Sequence, residues 1–293
     1  MAMKLFILDG HYHVHRACHA PIRTTLTSPS GELTNGVYIF TTALLKLIRE
    51  QMPDMLVVAM EGRGKTIRSE LYSDYKATRS RPSDDFIAQR DKIEEILDAM
   101  NIPVIRVDGY EADDIIGTIA KRAANDGYEV CICSNDKDML QLVDHTIYIF
   151  DVKTNDTVDL QDMIEKTGVT PDKFVEYLAL QGDSADNIPG ISGVGSKTAA
   201  NWISKYGSIR NLISHADELK DRYKDSLLEF NDQLYLNIVL MTIMCDVPID
   251  TDYEKFALKE FDRDKLRKIF IELGFNQLLT RLGLDEEENI LGD

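Results

Sequence analysis

No stretch of the 293-residue sequence approaches the roughly 18 consecutive apolar residues that a membrane-spanning helix requires. A strand-like run already begins at Lys4 and leaves no room for a cleavable signal, so the expected setting is the cytoplasm. The four cysteines, Cys18, Cys131, Cys133 and Cys245, contain no CxxC pair. Cys131 and Cys133 fall on one face of a strand, and the reading is reduced core thiols. Internal repeats and low-complexity linkers are also missing. Positive charge is scarce: 33 Lys and Arg stand against 50 Asp and Glu, a formal net charge of −17. A nucleic-acid binder ordinarily carries a basic footprint, so this balance taken alone argues against DNA. It leaves a solvated acidic surface or carboxylates gathered to hold divalent cations, and the positions of the acids decide between them.

What is present is an ordinary globular composition, 44% hydrophobic and 28% charged, over a length that suits one large domain or two smaller ones. Short apolar or β-branched runs occur at 4–8, 55–60, 103–107, 128–134 and 146–150, with helical-period segments near 36–51, 84–100 and 111–125 between them. That alternation predicts a mostly parallel sheet covered by helices. From about residue 160 the strand signals stop, and segments near 160–167, 171–181, 196–206, 231–243 and 264–281 predict a helical region. The acidic run Asp285-Glu286-Glu287-Glu288 reads as a solvated tail.

Residues 11–19, HYHVHRACH, hold four of the six histidines. His11, His15 and His19 are spaced by four, would share a helix face, and could in principle ligate zinc or copper. The run before them, Lys4 to Gly10, reads as a buried strand ending in a carboxylate. Ligands of α/β folds bind at such strand ends, which gives Asp9 more weight than the imidazoles. Three further acid groups follow the same rule: Glu61 after the second run, Glu111-Ala112-Asp113-Asp114 opening a helix after the third, and Asp136-Lys137-Asp138 after the fourth. Parallel strands bring their C-terminal ends to one sheet edge, so these carboxylates should converge. Hard divalent cations that prefer oxygen ligands, Mg²⁺ or Mn²⁺, would relieve their mutual repulsion. Any single acid in a first helical turn is also explained by the helix dipole; four groups at successive strand ends are harder to explain that way.

The stretch GDSADNIPGISGVGSKTA, residues 182–199, adds a second signal. Gly190, Gly193 and Gly195 allow a tight turn and a close backbone approach to a ligand, and Ser196-Lys197-Thr198 starts a helix whose first amides can face a phosphate. Such a grip reads duplex shape and charge without reading sequence. The alternative is an ordinary glycine-rich loop between two helices. Two look-alikes are set aside. Residues 59–66 end in GKT after a strand, but Ala59 stands where a P-loop needs its first glycine. Asp9-Gly10 suggests an aspartate-nucleophile phosphatase, but His11 occupies the place of the second acid.

From about residue 4 to residue 280 the chain resembles the 5′ nuclease (flap endonuclease) family, most closely the 5′→3′ exonuclease domain of bacterial DNA polymerase I. The matching stretches are ILDG, GKTIRSELYSDYKATR, GYEADDIIGT, SNDKDMLQLV and GDSADNIPGISGVGSKTA, in family order and spacing. Ending where a polymerase would continue, the chain is similar to the free-standing nucleases of bacteriophages and some bacteria. The resemblance implies an α/β fold: a PIN-like nuclease core with a mostly parallel sheet over residues 1–168, with a helical arch around 65–100. A C-terminal helical DNA-binding domain over 169–293 would follow, with a helix–three-turn–helix motif around 180–206. The implied activity is hydrolysis of 5′ flaps and of nicked or gapped duplex DNA by two divalent ions, with 5′→3′ exonuclease action and removal of RNA primers in replication and repair. By the same resemblance Asp9, Glu111, Asp113 and Asp114 match the first metal site, and Asp136, Asp138, Asp183 and Asp186 the second. Tyr75, Lys76 and Arg79 lie in the implied arch, with Lys76 and Arg79 on the scissile phosphate. Arg16, Gly190, Gly193, Gly195, Ser196, Lys197 and Thr198 are implied DNA contacts, with a potassium ion in the glycine turn. A monomer working beside a separate DNA polymerase completes the picture.

The departures matter. Glu61 stands where the family has aspartate; the extra methylene keeps the charge and moves the oxygen, so metal position or Mg²⁺ against Mn²⁺ preference at the first site is expected to differ. Asn135 replaces a common glycine. Arg16 and His19 match the family, whereas His11, His13 and His15 replace small polar or tyrosine side chains, so the histidines are expected near substrate phosphates and not on a metal. Two rival readings stay open. One is a catalytically silent junction-binding module, whose mark would be lost carboxylates; the other is a nuclease acting chiefly on RNA in RNA–DNA hybrids, which no residue separates from flap cleavage.

Overall fold

The computed structural model describes residues 3–21 and 24–285. Along the chain lie β1 (Lys4–Asp9), α1 (Gly10–Cys18), α2 (Asn35–Gln51), β2 (Met55–Ala59), α3 (Ile67–Leu71), α4 (Asp84–Ala99), β3 (Val104–Ile105) and α5 (Ala112–Asn125). Then come β4 (Glu129–Cys133), β5 (Ile147–Phe150), β6 (Thr157–Val158), α6 (Leu160–Thr167), α7 (Pro171–Gln181), α8 (Ser196–Tyr206), α9 (Ile209–Ser214), α10 (Asp221–Glu229), α11 (Asn231–Met241), α12 (Arg263–Leu273) and α13 (Asn276–Arg281). The strands form one sheet in the order β3-β2-β1-β4-β5-β6, parallel except for β6 against β5.

β1 is central, and its register pairs Asp9 with Ala59 and Leu8 with Cys133. The C-terminal ends of β1, β2 and β4 therefore finish level, and the acid groups follow directly at that edge. Side chains alternate across the sheet, as strand geometry requires. Leu5 and Ile7 pack into the layer containing Ile115, Ile116 and Ile119 of α5, whereas Phe6 and Leu8 pack into the layer containing Val14, Val37, Phe40 and Ile93. Burial on both faces explains why β2 reads as an unbroken apolar run.

The helices beyond residue 169 divide between the two layers. Phe174, Leu178, Trp202, Leu234 and Leu240, from α7, α8 and α11, extend the α5 layer, while Leu266, Phe270 and Leu278 of α12 and α13 join α2 and α4 on the other. The intervening chain crosses the end of β2, where Ala257 bridges to Met55. The stretch expected as one helix over 264–281 is two helices, because Gly274 caps α12 in a left-handed conformation at φ 72°. The segment 65–100 ends in a core helix: Ile93, Ile96 and Leu97 of α4 are buried, and only its part up to Phe86 borders the cleft described below. Cys131 and Cys133 share one face with their sulfurs 4.0 Å apart as free thiols. Glu286, Glu287 and Glu288 of the acidic run lie outside the described residues. Among the described residues no helix is long and apolar enough to cross a membrane.

Candidate active site

A cleft of about 930 Å³ opens over the C-terminal sheet edge, bordered by Asp9, Glu61, Glu111, Asp113, Asp136, Asp138 and Asp186. Asp183 lines a small adjoining pocket together with Asp113 and Asp138. Each acid is placed by local structure. Asp9 ends β1 and caps α1, one oxygen accepting from Tyr12 N at 2.9 Å and the other from Ser134 Oγ at 2.8 Å. Glu111 caps α5, with Asp113 in its first turn. Asp136 Oδ1 accepts from Asp138 N at 2.9 Å, which closes a tight turn after β4. Asp183 and Asp186 come from the turn after α7, pinned by the Asp183–Ile188 bridge.

The segment between α3 and α4 lays its cations across these acids. Lys76 Nζ is 2.9 Å from Glu111 Oε2 and 4.0 Å from Asp186 Oδ2. Tyr75 OH lies 3.0 Å from Glu111 Oε2 and 3.2 Å from Asp186 Oδ2, and Arg79 pairs with Asp186 Oδ1. Lys137, between Asp136 and Asp138 in sequence, reaches Asp183 at 2.8 Å. Five acids of the site thereby separate into two electrostatic classes. Burial would raise Glu111 and Asp183, but Lys76 and Arg68 on the first and Lys137 on the second outweigh it, holding both below the ordinary carboxylate value. Asp9, Asp113 and Asp138 have no such neighbour in contact. Burial and like charge push Asp9 up to about 6 and Asp138 up to about 7, and Asp113 well above its ordinary value.

No group of three carboxylate, imidazole or thiol side chains among the described residues already surrounds one point as a closed metal shell. The donors nevertheless suit a hard divalent cation: they are carboxylate oxygens, those of Asp9, Asp113 and Asp138 have proton affinities raised by burial and like charge, and the buried Asp138 Oδ1 has no hydrogen-bond partner.

Several expected residues lie elsewhere. Asp114, implied as a first-site ligand, is turned away from the cleft. Arg68 grips both of its oxygens at 2.7 Å, and Glu111 N and Met244 N donate to them at 3.2 and 2.9 Å. With its acceptors engaged and its side chain fully buried, Asp114 is a counter-ion holding α3 to α5, not a free donor. Arg16 points to Asp151, 4.0 Å away, and does not border the cleft. Glu61 does border it, with His11 Nδ1 3.4 Å from its Oε2. His13 faces inward and bonds the Cys133 carbonyl at 3.0 Å. The His15 and His19 rings stack on each other with centroids 4.1 Å apart, and His19 Nδ1 bonds the His15 carbonyl at 2.8 Å.

In the 182–195 turn the glycines differ in purpose. A Cβ on Gly190 would sit 2.0 Å from the Gln181 carbonyl oxygen, and Gly193 has φ 77°. Gly195 has open space around its Cβ position and, with exposed Ser196 and Lys197, leaves the first turn of α8 accessible, Thr198 being half-buried behind them. Sequence reasoning missed Arg68 and Ser134. Ser134 shortly precedes the Asp136 group, and Arg68 lies in α3, just ahead of the segment that carries Tyr75 and Lys76.

The comparisons fit this geometry. The family model for the 5′-3′ exonuclease N-terminal resolvase-like domain matches residues 4–168, and that for the 5′-3′ exonuclease C-terminal SAM fold matches residues 169–264. The chain belongs to the 5′-3′ exonuclease family. It is 36% identical to the 5′-3′ exonuclease of Aquifex aeolicus over 278 residues, 95% of this chain and 94% of that one. It is 38% identical to DNA polymerase I of Bacillus subtilis over 291 residues, 97% of this chain and 33% of the polymerase. The chain thus spans about a third of the polymerases it matches. In fold it resembles the 5′-exonuclease of bacteriophage T5 in a zinc-bound structure, with a TM-score of 0.71 at 22% identity over 93% of this chain and 98% of that one.

Proposed function

We propose that this chain hydrolyses phosphodiester bonds at 5′ flaps and at nicks or gaps in duplex DNA, with 5′→3′ exonuclease action, aided by two divalent ions. The observation that carries the reading is the convergence of Asp9, Glu111, Asp113, Asp136, Asp138, Asp183 and Asp186 on one sheet edge beneath Lys76 and Arg79. A 5′-exonuclease of bacteriophage T5 has been solved with divalent metal ions, and a flap endonuclease of the same phage with DNA and metal ions, in keeping with that reading.

Asp9, Glu111 and Asp113 would hold one ion and Asp136, Asp138, Asp183 and Asp186 the other, with Mg²⁺ or Mn²⁺ suited to their oxygens. Such ions lower the pKa of an attacking water and stabilise charge on the phosphate oxygens. The chain's own part is positioning. Lys76 and Arg79, at the cleft wall, place positive charge where the phosphate oxygens gain negative charge. The accessible N-terminus of α8 with Lys197 grips a duplex phosphate, and a potassium ion at Gly193 and Gly195 belongs to the same proposal. Work beside a separate DNA polymerase, in the cytoplasm, is part of the same proposal, and the likeness to DNA polymerase I supports the polymerase association.

The test is single-turnover cleavage of a 5′-labelled flap duplex in Mg²⁺, Mn²⁺ or EDTA, beside Asp138→Asn. Junction cuts in either metal that vanish in EDTA and in the variant are expected. Tight binding without cutting in both metals would instead assign the chain to junction binding.

A further inference from the structure

The chain between α3 and α4 has little internal structure to hold it. Residues 72–79 form successive tight turns, closed by Tyr75 N donating to the Tyr72 carbonyl at 3.0 Å, Ala77 N to that of Asp74 at 3.1 Å and Arg79 N to that of Lys76 at 3.0 Å. The side chains of Tyr75, Lys76 and Arg79 tie it to Glu111 and Asp186, and all of these ties end on carboxylates of the proposed ligand set. Two further bonds do not. Lys76 N donates to the Asp186 carbonyl at 2.9 Å, and Asn187 Nδ2 donates to the Asp74 carbonyl at 2.8 Å. Successive residues of one turn thus grip the backbone on either side of Tyr75 without using a carboxylate.

The turn that supplies this grip is itself well braced. Asp183 and Ile188 exchange backbone bonds of 2.8 and 2.7 Å across it. Asn237 of α11, fully buried, donates to the Ala179 carbonyl before the turn at 3.1 Å and to the Pro189 carbonyl at its far end at 2.7 Å. Asn187 is half-buried and adopts φ 57°, a left-handed conformation that asparagine tolerates better than most side chains. A lysine ammonium sits at the end of a long flexible stem, so where it can reach is set by where its backbone is held. In a loaded site, ions and phosphate oxygens compete for the side-chain ties of the segment. The bonds to the Asp186 and Asp74 carbonyls have no such competitor.

We propose that Asn187 is a positioning residue for cleavage: its bond to the Asp74 carbonyl fixes the backbone from which Lys76 reaches the scissile phosphate. The proposal rests on the nuclease reading above and adds the residue that aims its cation.

The test is single-turnover flap cleavage by Asn187→Gly, which keeps the left-handed backbone and removes the amide, in the wild-type and Lys76→Ala backgrounds. Flap affinity in EDTA and the Mg²⁺-induced rise in Tm are measured beside it. Asn187→Gly should slow cleavage about 10- to 100-fold, the scale for a small misplacement of a group at the reacting centre, with affinity and the Tm rise unchanged. In the Lys76→Ala background the same change should cause no further slowing, because the group it positions is already gone. Asp74→Ala leaves the carbonyl in place and should cut as fast as the wild type. An Asn187→Gly variant that cuts at the wild-type rate, slows equally in both backgrounds, or loses the Mg²⁺-induced rise would overturn the role, as would an equally slow Asp74→Ala. A wild-type protein that cuts no flap in Mg²⁺ or Mn²⁺ would overturn the nuclease reading instead.

Discussion

Lys76 joins Glu111 through its side chain, Nζ to Oε2 at 2.9 Å, while its backbone N–H donates to the Asp186 carbonyl at 2.9 Å. One residue of the segment over the cleft is thus tied to the acids of α5 and to those of the turn after α7. Its backbone adopts φ 55°, a left-handed conformation that a lysine holds only when its surroundings fix it. The position of this segment and the charge state of the acids are therefore linked.

Removing that ammonium should affect chemistry more than binding. Lys76→Ala is expected to slow single-turnover flap cleavage by about 10²- to 10³-fold, the scale for losing one preorganised cation or donor at a developing charge, with flap affinity in EDTA nearly unchanged. An unaltered single-turnover rate would remove Lys76 from the chemical step.

Arg68 is the buried cation of the molecule's interior joint. It meets Asp114 through paired bonds of 2.7 Å and donates to the carbonyls of Leu240 and Thr242 at 2.7 and 2.6 Å, so α3, α5 and the end of α11 share one guanidinium. Breaking a buried pair strands the other charge, and Arg68→Met should lower unfolding stability by about 3–5 kcal/mol in urea titration. Arg68→Met/Asp114→Leu should recover more than half of the loss. If the double variant is no better than the single one, the carbonyl bonds and not the ion pair carry the energy.

How much of this was legible in the sequence follows from what each signal measures. The convergence of Asp9, Asp113 and Asp138 could be read because strand order and acid position are both local patterns, and parallel strands fix where their ends go. The fate of Asp114 could not: Asp113 and Asp114 are neighbours of the same type, and only the three-dimensional position of Arg68 decides which one faces the cleft. The histidines divide the same way. Spacing put His11, His15 and His19 on one helix face, but the contact of the His15 and His19 rings with Phe86, 67 positions beyond His19, is set only by the fold. The helices α9 and α10 were not read from the sequence, and α3 fell inside the stretch expected as the arch. The end of α12 hinged on a single glycine inside an otherwise continuous helical pattern.

The glycines of the 182–195 turn give a paired prediction. Gly190→Ala forces a Cβ onto the Gln181 backbone and should destabilise the fold by about 1–3 kcal/mol or more. Gly195→Ala meets no atom and caps α8 less well, so it should cost about 1 kcal/mol or less. If the open Gly195 position lies against a phosphate, the methyl group should still weaken duplex binding. Thermal unfolding and nicked-duplex titration read the two effects separately, and equal stability losses would contradict the assignment of Gly190 to the turn and Gly195 to the ligand.

Metal and pH should act together through Asp9 and Asp138. Their pKa values of about 6 and about 7 lie above the ordinary 3.8, so between roughly pH 4 and 7 the folded chain binds more protons than the unfolded one. The stability these two acids contribute is full below pH 4 and is lost as pH rises through 6 to 7. His13, lowered by burial to about 4, slopes the other way and loses stability as pH falls from 6.5 to 4. Comparing Tm with and without Mg²⁺ at each pH cancels the His13 contribution, because His13 is turned inward onto the Cys133 carbonyl and lies outside the proposed ligand set. A divalent ion bound to the charged acids stabilises the folded state and competes with protons for them. The Mg²⁺-induced rise in Tm should therefore be largest at pH 8, shrink through pH 7 to 6, and nearly vanish at pH 5, with EDTA reversing it. Asp138→Asn should reduce the rise at pH 8 and flatten its pH dependence. A rise of the same size at pH 5 and pH 8, or one untouched by Asp138→Asn, would place the ion away from these acids.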